Sequence, residues 1–299
     1  RSQTRSPSQA AAATAAPAAA AIAALVAEGV DTMDYTCGWD RHAHKPREGD
    51  SLTNGRAGGA VAGPPEPTAP PPLPMPLPYG VSVAYLRSLG GKRADPTWTA
   101  HDVRANVALP ATRLTPGKSL AEVAPQQHVR ARADLVVSYA WTTRWTDVVA
   151  ALEVNGFADK FVWVDVVCAP QHDSARPTTA EEVRSLLRAY REQVGRFVGH
   201  VVFVVAPWRR PPTTSRAWCA FEALVAAEVG AKGTLVMPPP EAADLARTVR
   251  SNKVGYAALG AVFAHVDVDA VDASVVVERE VLREELKRGG GGGNNHDDN

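Results

Sequence analysis

The sequence has few cysteines, and they form no recognisable framework. Its three cysteines are Cys37, Cys168 and Cys219, and no two of them stand in a C-x-x-C arrangement. This pattern argues against a disulfide scaffold and indicates a reducing compartment, so we expect a cytoplasmic protein. His42 and His44 lie near Cys37, but a four-ligand zinc geometry is not supplied, and we expect no metal.

The chain also lacks an excess of charge and a long hydrophobic run. Its 32 Lys and Arg residues balance 32 Asp and Glu residues. No overall field therefore favours nucleic acid or an anionic membrane, and we expect neither as a partner. Residues 10–27 are mostly alanine and include Pro17, so they do not resemble a membrane span.

Phosphate-binding loops are missing as well. No G-x-G-x-x-G or Walker sequence follows a predicted strand, so Rossmann and P-loop classes lack their phosphate cradle.

A receiver domain, with Asp165 as phosphoacceptor, would need an acidic pair where Ser138 and Tyr139 stand. His172 and Asp173 beside Cys168 could suggest nucleophilic catalysis, but adjacency in sequence says little about geometry in space, and we expect a hydrogen-bonded loop histidine instead.

Composition divides the chain into four regions. Residues 1–79 are rich in alanine and proline, and residues 289–299 are a glycine-rich tail; we expect both to be disordered. The proline tract at 64–78 favours polyproline II and a stiff spacer. We predict that residues 80–130 are a lead-in segment packed on a domain formed by residues 131–288.

Short apolar runs alternate with helical patterns in that domain. Because the runs are apolar on both faces, we predict a parallel sheet of four or five strands covered by helices on each side. Ligands of such sheets bind at the carboxyl ends of the strands. The predicted strands are residues 134–139, 161–167, 200–205, 233–237 and 263–268.

Glu222 interrupts an apolar helix. The helix follows Pro211-Pro212, with Thr214 or Ser215 as its predicted cap, and Glu222 stands one turn after Trp218. An acid among so many apolar residues costs several kcal/mol unless it is paired or neutralised. Two interpretations stay open: a catalytic carboxylate beside an aromatic wall, or a rim residue, exposed or paired with an arginine. The candidate arginines are Arg209, Arg210 and Arg216.

The order of these motifs resembles a Toll/interleukin-receptor (TIR) domain. Residues 134–139 resemble its first strand, and residues 215–224 match S-x-x-W-C-x-x-x-E-L except that alanine precedes the final leucine. More narrowly, the chain is similar to an algal and protist TIR-like group with the motif R-A-W-C-x-F-E. The features shared with that group are Ser138 with Trp141, Trp163-Val164-Asp165, Gln171-His172, Pro207-Trp208 and the run from Arg216 to Glu222.

This resemblance implies a flavodoxin-like three-layer sandwich and a role in signalling. It also implies hydrolysis of NAD to nicotinamide and ADP-ribose, with Glu222 as the key carboxylate. Ser138, Trp141, Trp208 and Trp218 are then the substrate-binding residues, the tryptophans stacking on the rings. NAD would be the substrate, with no separate cofactor.

The resemblance leaves a second function class open. The loop at residues 168–173 lacks the glycine that is common in the family's interaction loop. TIR domains with a glutamate at this position also include adaptors. The alternative function is therefore a non-catalytic scaffold that forms homo-oligomers through its TIR-like surface.

Overall fold

A computed structural model describes residues 79–90, 95–251 and 267–289. In these ranges six strands form one sheet in the spatial order β2-β1-β4-β3-β5-β6. The pairings β4–β3, β3–β5 and β5–β6 are parallel, and β1 is antiparallel to both of its neighbours. The strands are β1 (Gly80–Ser82), β2 (Val129–Arg130), β3 (Leu135–Ser138), β4 (Phe161–Trp163), β5 (His200–Val204) and β6 (Lys232–Val236).

Helices cover this sheet. The helices α7, α8 and α10 pack against one another, and α1 packs against α5. The ten α-helices of the described ranges are α1 (Val83–Leu89), α2 (Ala100–Val103), α3 (Leu109–Ala111), α4 (Leu120–Val123), α5 (Trp145–Leu152), α6 (Asp165–Cys168), α7 (Ala180–Glu192), α8 (Ala217–Glu228), α9 (Pro239–Ser251) and α10 (Val276–Gly289).

The predicted fold class is confirmed. The parallel strands in the order β4-β3-β5-β6, with helices flanking the sheet, form the three-layer arrangement of flavodoxin-like folds. Most of the predicted strand at 263–268 falls outside the described residues. Asp267 and Val268, which are described, lie outside any strand.

Residues 80–130, predicted only as a segment packed on the domain, contribute two strands to the sheet itself. β1 lies between β2 and β4, where a Cβ on Gly80 would come within 2.8 Å of Ala133 Cα and 2.9 Å of Phe161 Cβ. Only glycine fits such a close approach of backbones without a shift. The buried Trp145 of α5 also donates from Nε1 to Leu86 O at 2.9 Å, which ties α1 to the domain.

Two helix boundaries are set by local chemistry. Thr179 caps α7 in a capping box with Glu182, as its sequence indicates. After α8 the chain reverses at Gly230, whose φ of +64° suits glycine at a helix end.

The predicted cap of α8 is wrong. Pro212–Ser215 form a 3₁₀ turn in which the hydroxyls of Thr214 and Ser215 donate to the carbonyls of Pro211 and Pro212. Arg216 occupies the cap position without a side-chain bond. The Ala217 N–H donates to Asp272 O at 2.9 Å instead, so a distant segment satisfies this end of the helix.

Several predictions fall on residues that the structure does not describe. These include the tails at 1–78 and 290–299 and the Cys37, His42 and His44 cluster. In the described part of the chain, no helix is long and apolar enough to cross a membrane.

Candidate functional site

A cleft of about 200 Å³ opens at the carboxyl ends of β3 and β4. Side chains of α7, α8 and α10 close it from the side, so three helices and two strand ends meet there. Its charged lining consists of the carboxylates of Asp165, Glu222 and Glu278 and the guanidinium groups of Arg176 and Arg216; its aromatic lining consists of Tyr139, Trp141, Trp163, Tyr190 and Trp218.

Glu222 is the most strongly perturbed acid of this cleft. The residue is 8 % exposed, and burial raises the pKa of its carboxyl to about 8, with a smaller contribution in the same direction from the charge of Asp165. Hydrogen bonding by the Ser138 hydroxyl and the charge of Arg216 act in the opposite direction. The carboxyl is therefore mostly protonated at neutral pH.

The alternative in which Glu222 pairs with an arginine is not observed among the described residues. Within the described ranges Glu222 makes no ion pair, and Arg209 pairs instead with Asp244 at 2.9 Å. Arg216 lines the same cleft as Glu222 and affects it only through its charge. Glu222 is thus a desolvated acid that lines the cleft without an ion-pair partner among the described residues.

Ser138 and Tyr190 flank Glu222 from the sheet and from α7. The Ser138 hydroxyl is buried and makes no hydrogen bond of good geometry to any described residue, yet it lies near enough to lower the pKa of Glu222 by donating to the ionised carboxylate. The Tyr190 hydroxyl is also buried without a partner in the described chain. Its pKa is raised first by burial and then by the charge of Glu222, which places phenol and carboxyl side by side.

Asp165 is a second acid at the cleft, and donors surround it. Trp141 Nε1 donates to Oδ2 at 2.6 Å, while Tyr139 OH and the Val166 N–H donate to Oδ1 at 2.9 and 2.7 Å. Burial raises the pKa of Asp165, and these donors and the charge of Arg216 act against the rise. The network fixes the Trp141 ring as one wall of the cleft.

The predicted strand at residues 161–167 is observed only in its first three residues, so the prediction that Asp165 lies in a strand is wrong. β4 ends at Trp163, and Asp165 begins the short helix α6. Its carboxylate accepts from the next N–H, a local bond that favours a turn over an extended strand. This turn brings Asp165 to the cleft.

Trp218 forms a second aromatic wall. Its Nε1 donates to Glu278 Oε2 of α10 at 2.9 Å, and its ring meets Phe221 edge-on with centroids 6.1 Å apart. Carboxylates therefore hold the indoles of Trp141 and Trp218, which reduces the freedom of these two rings.

Trp208 does not join this site. Its side chain is 1 % exposed, and its Nε1 donates to Asp244 Oδ2 of α9 at 2.9 Å. Its backbone N–H donates to Glu241 of the same helix, also at 2.9 Å. Since α9 holds the residue away from the cleft, the prediction that Trp208 binds substrate is not supported by its position. The other predicted residues, Ser138, Trp141, Trp218 and Glu222, lie at or beside the cleft.

The nucleophilic interpretation of Cys168 is not supported by its surroundings. Burial raises the pKa of the Cys168 thiol to about 12, so the thiolate does not form at neutral pH. His172 shares a 3.0 Å hydrogen bond with Thr112. The bonded loop histidine is the arrangement observed.

Among the cleft residues that the sequence did not predict are Arg176, Tyr190, Arg216 as a lining residue and Glu278. Glu278 could not be found from local pattern, because it lies 60 residues after Trp218 in the chain. Arg216 could have been found, since it lies two residues before Trp218 in the motif that drew attention to Glu222.

The described residues include no group of three or more His, Cys, Asp or Glu side chains placed to hold a metal ion. The fold and the cleft thus define an α/β protein with a mixed-charge, aromatic-walled site at its strand ends. Comparisons with protein-family models, with curated proteins and with solved structures find no match to this chain.

Proposed function

We propose that this protein is a TIR-like signalling domain that cleaves NAD to nicotinamide and ADP-ribose, with Glu222 as the key carboxylate. The observation that carries the proposal is the position of Glu222. It is a desolvated acid at a strand-end cleft that the rings of Trp141 and Trp218 also line. The resemblance in sequence does not by itself indicate whether these three side chains line the same cavity.

The chemistry matches this arrangement. When the bond from ribose to nicotinamide breaks, the positive charge of the pyridinium moves to the sugar as an oxocarbenium-like cation. An ionised carboxylate next to the sugar stabilises that cation. Water then adds to the sugar carbon, and the proton it loses passes to solvent, which leaves ADP-ribose and neutral nicotinamide.

Glu222 must be ionised for this role, and burial favours its protonated form. A bound pyridinium supplies the missing positive charge, because an opposite charge within a few ångströms lowers the pKa of a carboxyl. Substrate binding would therefore ionise Glu222 at the place where the sugar cation forms. Asp165, which three donors hold, adds a second negative charge to the same cleft.

The second candidate is a non-catalytic scaffold that self-associates. The size of the cleft favours it, since about 200 Å³ is less than the 300 to 1,000 Å³ typical of small-molecule sites. Such a space encloses a nicotinamide and part of a ribose, not a whole dinucleotide. In the enzymatic proposal a second copy of the chain would complete the site.

The test is NAD turnover by a forced oligomer, followed by chromatography of released nicotinamide. Fusion to a tetramerising domain and a high protein concentration guard against an inactive dilute monomer. Glu222→Gln keeps size and hydrogen bonding and should lower turnover at least about 100-fold. The matched control is Glu228→Gln on the same helix, where Glu228 pairs with Arg191 outside the cleft at 2.9 Å.

Three outcomes separate the candidates. Turnover by wild type and Glu228→Gln but not by Glu222→Gln supports the enzyme. No turnover by the oligomer, with concentration-dependent self-association, supports the scaffold. Unfolding of Glu222→Gln in circular dichroism would make Glu222 a structural residue.

A further inference from the structure

Arg216 carries a guanidinium group that lines the cleft and has no partner among the described residues. Its side chain makes no hydrogen bond and no ion pair with any residue that the structure describes. The other arginine of the cleft differs, because Arg176 lies 3.4 Å from the carboxylate of Asp173. A half-buried guanidinium has five donors, and leaving them unused has a free-energy cost.

The backbone around Arg216 is fixed, so the free side chain is not the result of a loose loop. The Asp272 N–H donates to Ser215 O at 2.8 Å, and the Ala217 N–H donates to Asp272 O at 2.9 Å. Arg216 thus stands between two anchored neighbours at the start of α8. These bonds hold the backbone of Arg216, and its side chain extends from that fixed position into the cleft.

Two acids of the cleft, Asp165 and Glu222, do not take up this guanidinium. Asp165 already accepts three hydrogen bonds, and Glu222 is mostly protonated at neutral pH. Both are close enough for the charge of Arg216 to lower their pKa values. The cleft therefore offers a negative side at Asp165 and an unsatisfied positive group beside it.

A ligand that suits this pattern carries a positive ring and a negative group a short distance away. The planar fork of a guanidinium matches two oxygens of a phosphate, with strong charge-assisted hydrogen bonds. We propose that Arg216 binds a phosphate of the ligand, so that the cleft selects phosphorylated nicotinamide nucleotides over the unphosphorylated nucleoside. This inference rests on the proposed function for the identity of the ring.

The experiment compares three substrates that share the scissile bond: NAD, nicotinamide mononucleotide and nicotinamide riboside. The forced oligomer of wild type should cleave the two phosphorylated substrates with a kcat/KM about 10 to 100 times that for the riboside. In Arg216→Gln this preference should fall to within about threefold of unity. Any effect of Arg216 on the ionisation of Glu222 acts on all three substrates. It therefore cancels when kcat/KM for a phosphorylated substrate is divided by kcat/KM for the riboside.

Two further variants sharpen the comparison. Arg216→Lys keeps the charge and loses the bidentate fork, so its preference should lie between those of wild type and Arg216→Gln. Arg247→Gln removes an exposed arginine of α9, which pairs with Asp244 outside the cleft, and should retain the wild-type preference. An unchanged preference in Arg216→Gln would overturn the inference while the proposed cleavage stands.

A binding measurement distinguishes the two possible failures. Titration calorimetry with ADP-ribose and with adenosine needs no turnover. Tighter binding of ADP-ribose that disappears in Arg216→Gln, in a protein that does not cleave NAD, would reject the cleavage and support the phosphate site. Equal binding of ADP-ribose by wild type and Arg216→Gln would reject the phosphate site.

Discussion

The indole Nε1 of Trp141 donates a 2.6 Å hydrogen bond to Oδ2 of Asp165, and this bond joins the segments that follow two neighbouring strands. Trp141 follows β3, and Asp165 follows β4. Tyr139 donates to the same carboxylate at 2.9 Å, so the end of β3 holds it with two donors. The aromatic wall and the second acid of the cleft are therefore one hydrogen-bonded unit.

Trp141→Phe should destabilise the protein because it removes a donor from a carboxylate that burial already disfavours. We expect the free energy of unfolding at pH 7 to fall by about 1 to 3 kcal/mol. Urea denaturation followed by far-ultraviolet circular dichroism measures this change. Trp98→Phe is the control of equal size, since the Trp98 indole makes no hydrogen bond to a described residue. Equal losses in both variants would show that ring volume matters and the bond does not.

Glu222 should make the stability of the protein depend on pH. Its folded-state pKa of about 8 is above the ordinary 4.5, so the folded state binds the proton more tightly than the unfolded chain. The resulting stabilisation is complete below about pH 4.5 and is lost as the pH rises through 8. The free energy of unfolding of wild type minus that of Glu222→Gln should therefore fall by on the order of 3 kcal/mol between pH 4.5 and 7, at about 1.4 kcal/mol per pKa unit. A difference that stays constant over this range would contradict a buried, unpaired carboxyl.

The parallel part of the fold could be predicted from the sequence because each strand is apolar on both faces. Val201–Val204 and the fully buried Val136 are examples of positions where composition alone indicates a covered sheet. β1 could not be predicted in this way. It has three residues, and its place depends on the close approach of Gly80 to Ala133 and Phe161, which are distant in sequence.

The candidate site was predictable where its residues share one motif and unpredictable where they meet only in space. Glu222 and Trp218 are one helical turn apart, so local periodicity relates them. Trp208 precedes the same helix in the chain. Its indole donates a hydrogen bond to Asp244, however, and this bond directs the side chain toward α9. Periodicity contains no information about such a choice of partner.

The pH dependence of NAD cleavage should report the ionisation of Glu222. Because the ionised form acts on substrate, kcat/KM should rise with pH. Its midpoint should lie near the free-protein pKa of about 8, with a plateau above that pH. The midpoint for kcat should lie lower, because a bound pyridinium favours the carboxylate. Asp165→Asn should lower the kcat/KM midpoint and Arg216→Gln should raise it, since these two charges have opposite effects on the pKa of Glu222. Shifts of the same sign in both variants would reject Glu222 as the titrating group.

Trp208→Phe and Trp218→Phe should separate a structural tryptophan from a cleft tryptophan. Trp208→Phe removes the bond to Asp244 and should lower the free energy of unfolding by about 1 kcal/mol or more, with NAD turnover unchanged. Trp218→Phe releases Glu278 in the cleft and should lower turnover of the forced oligomer several-fold. Loss of turnover in Trp208→Phe at full folding would show that α9 contributes to the site.

Removal of β1 and α1 should abolish cooperative folding. A chain trimmed to residues 79–289 keeps every described element and should unfold in one sharp urea transition. A chain trimmed to residues 99–289 loses Val81, Val83 and Leu86, all fully buried, and deprives Trp145 of its acceptor. Burial of each such side chain contributes about 1.5 to 3 kcal/mol, so the sum is comparable to the total stability of a typical domain. We expect this shorter chain to show no sharp transition and poor dispersion of its amide proton resonances. A sharp transition at the same urea concentration as for 79–289 would instead show that the parallel strands and their helices fold without the antiparallel edge.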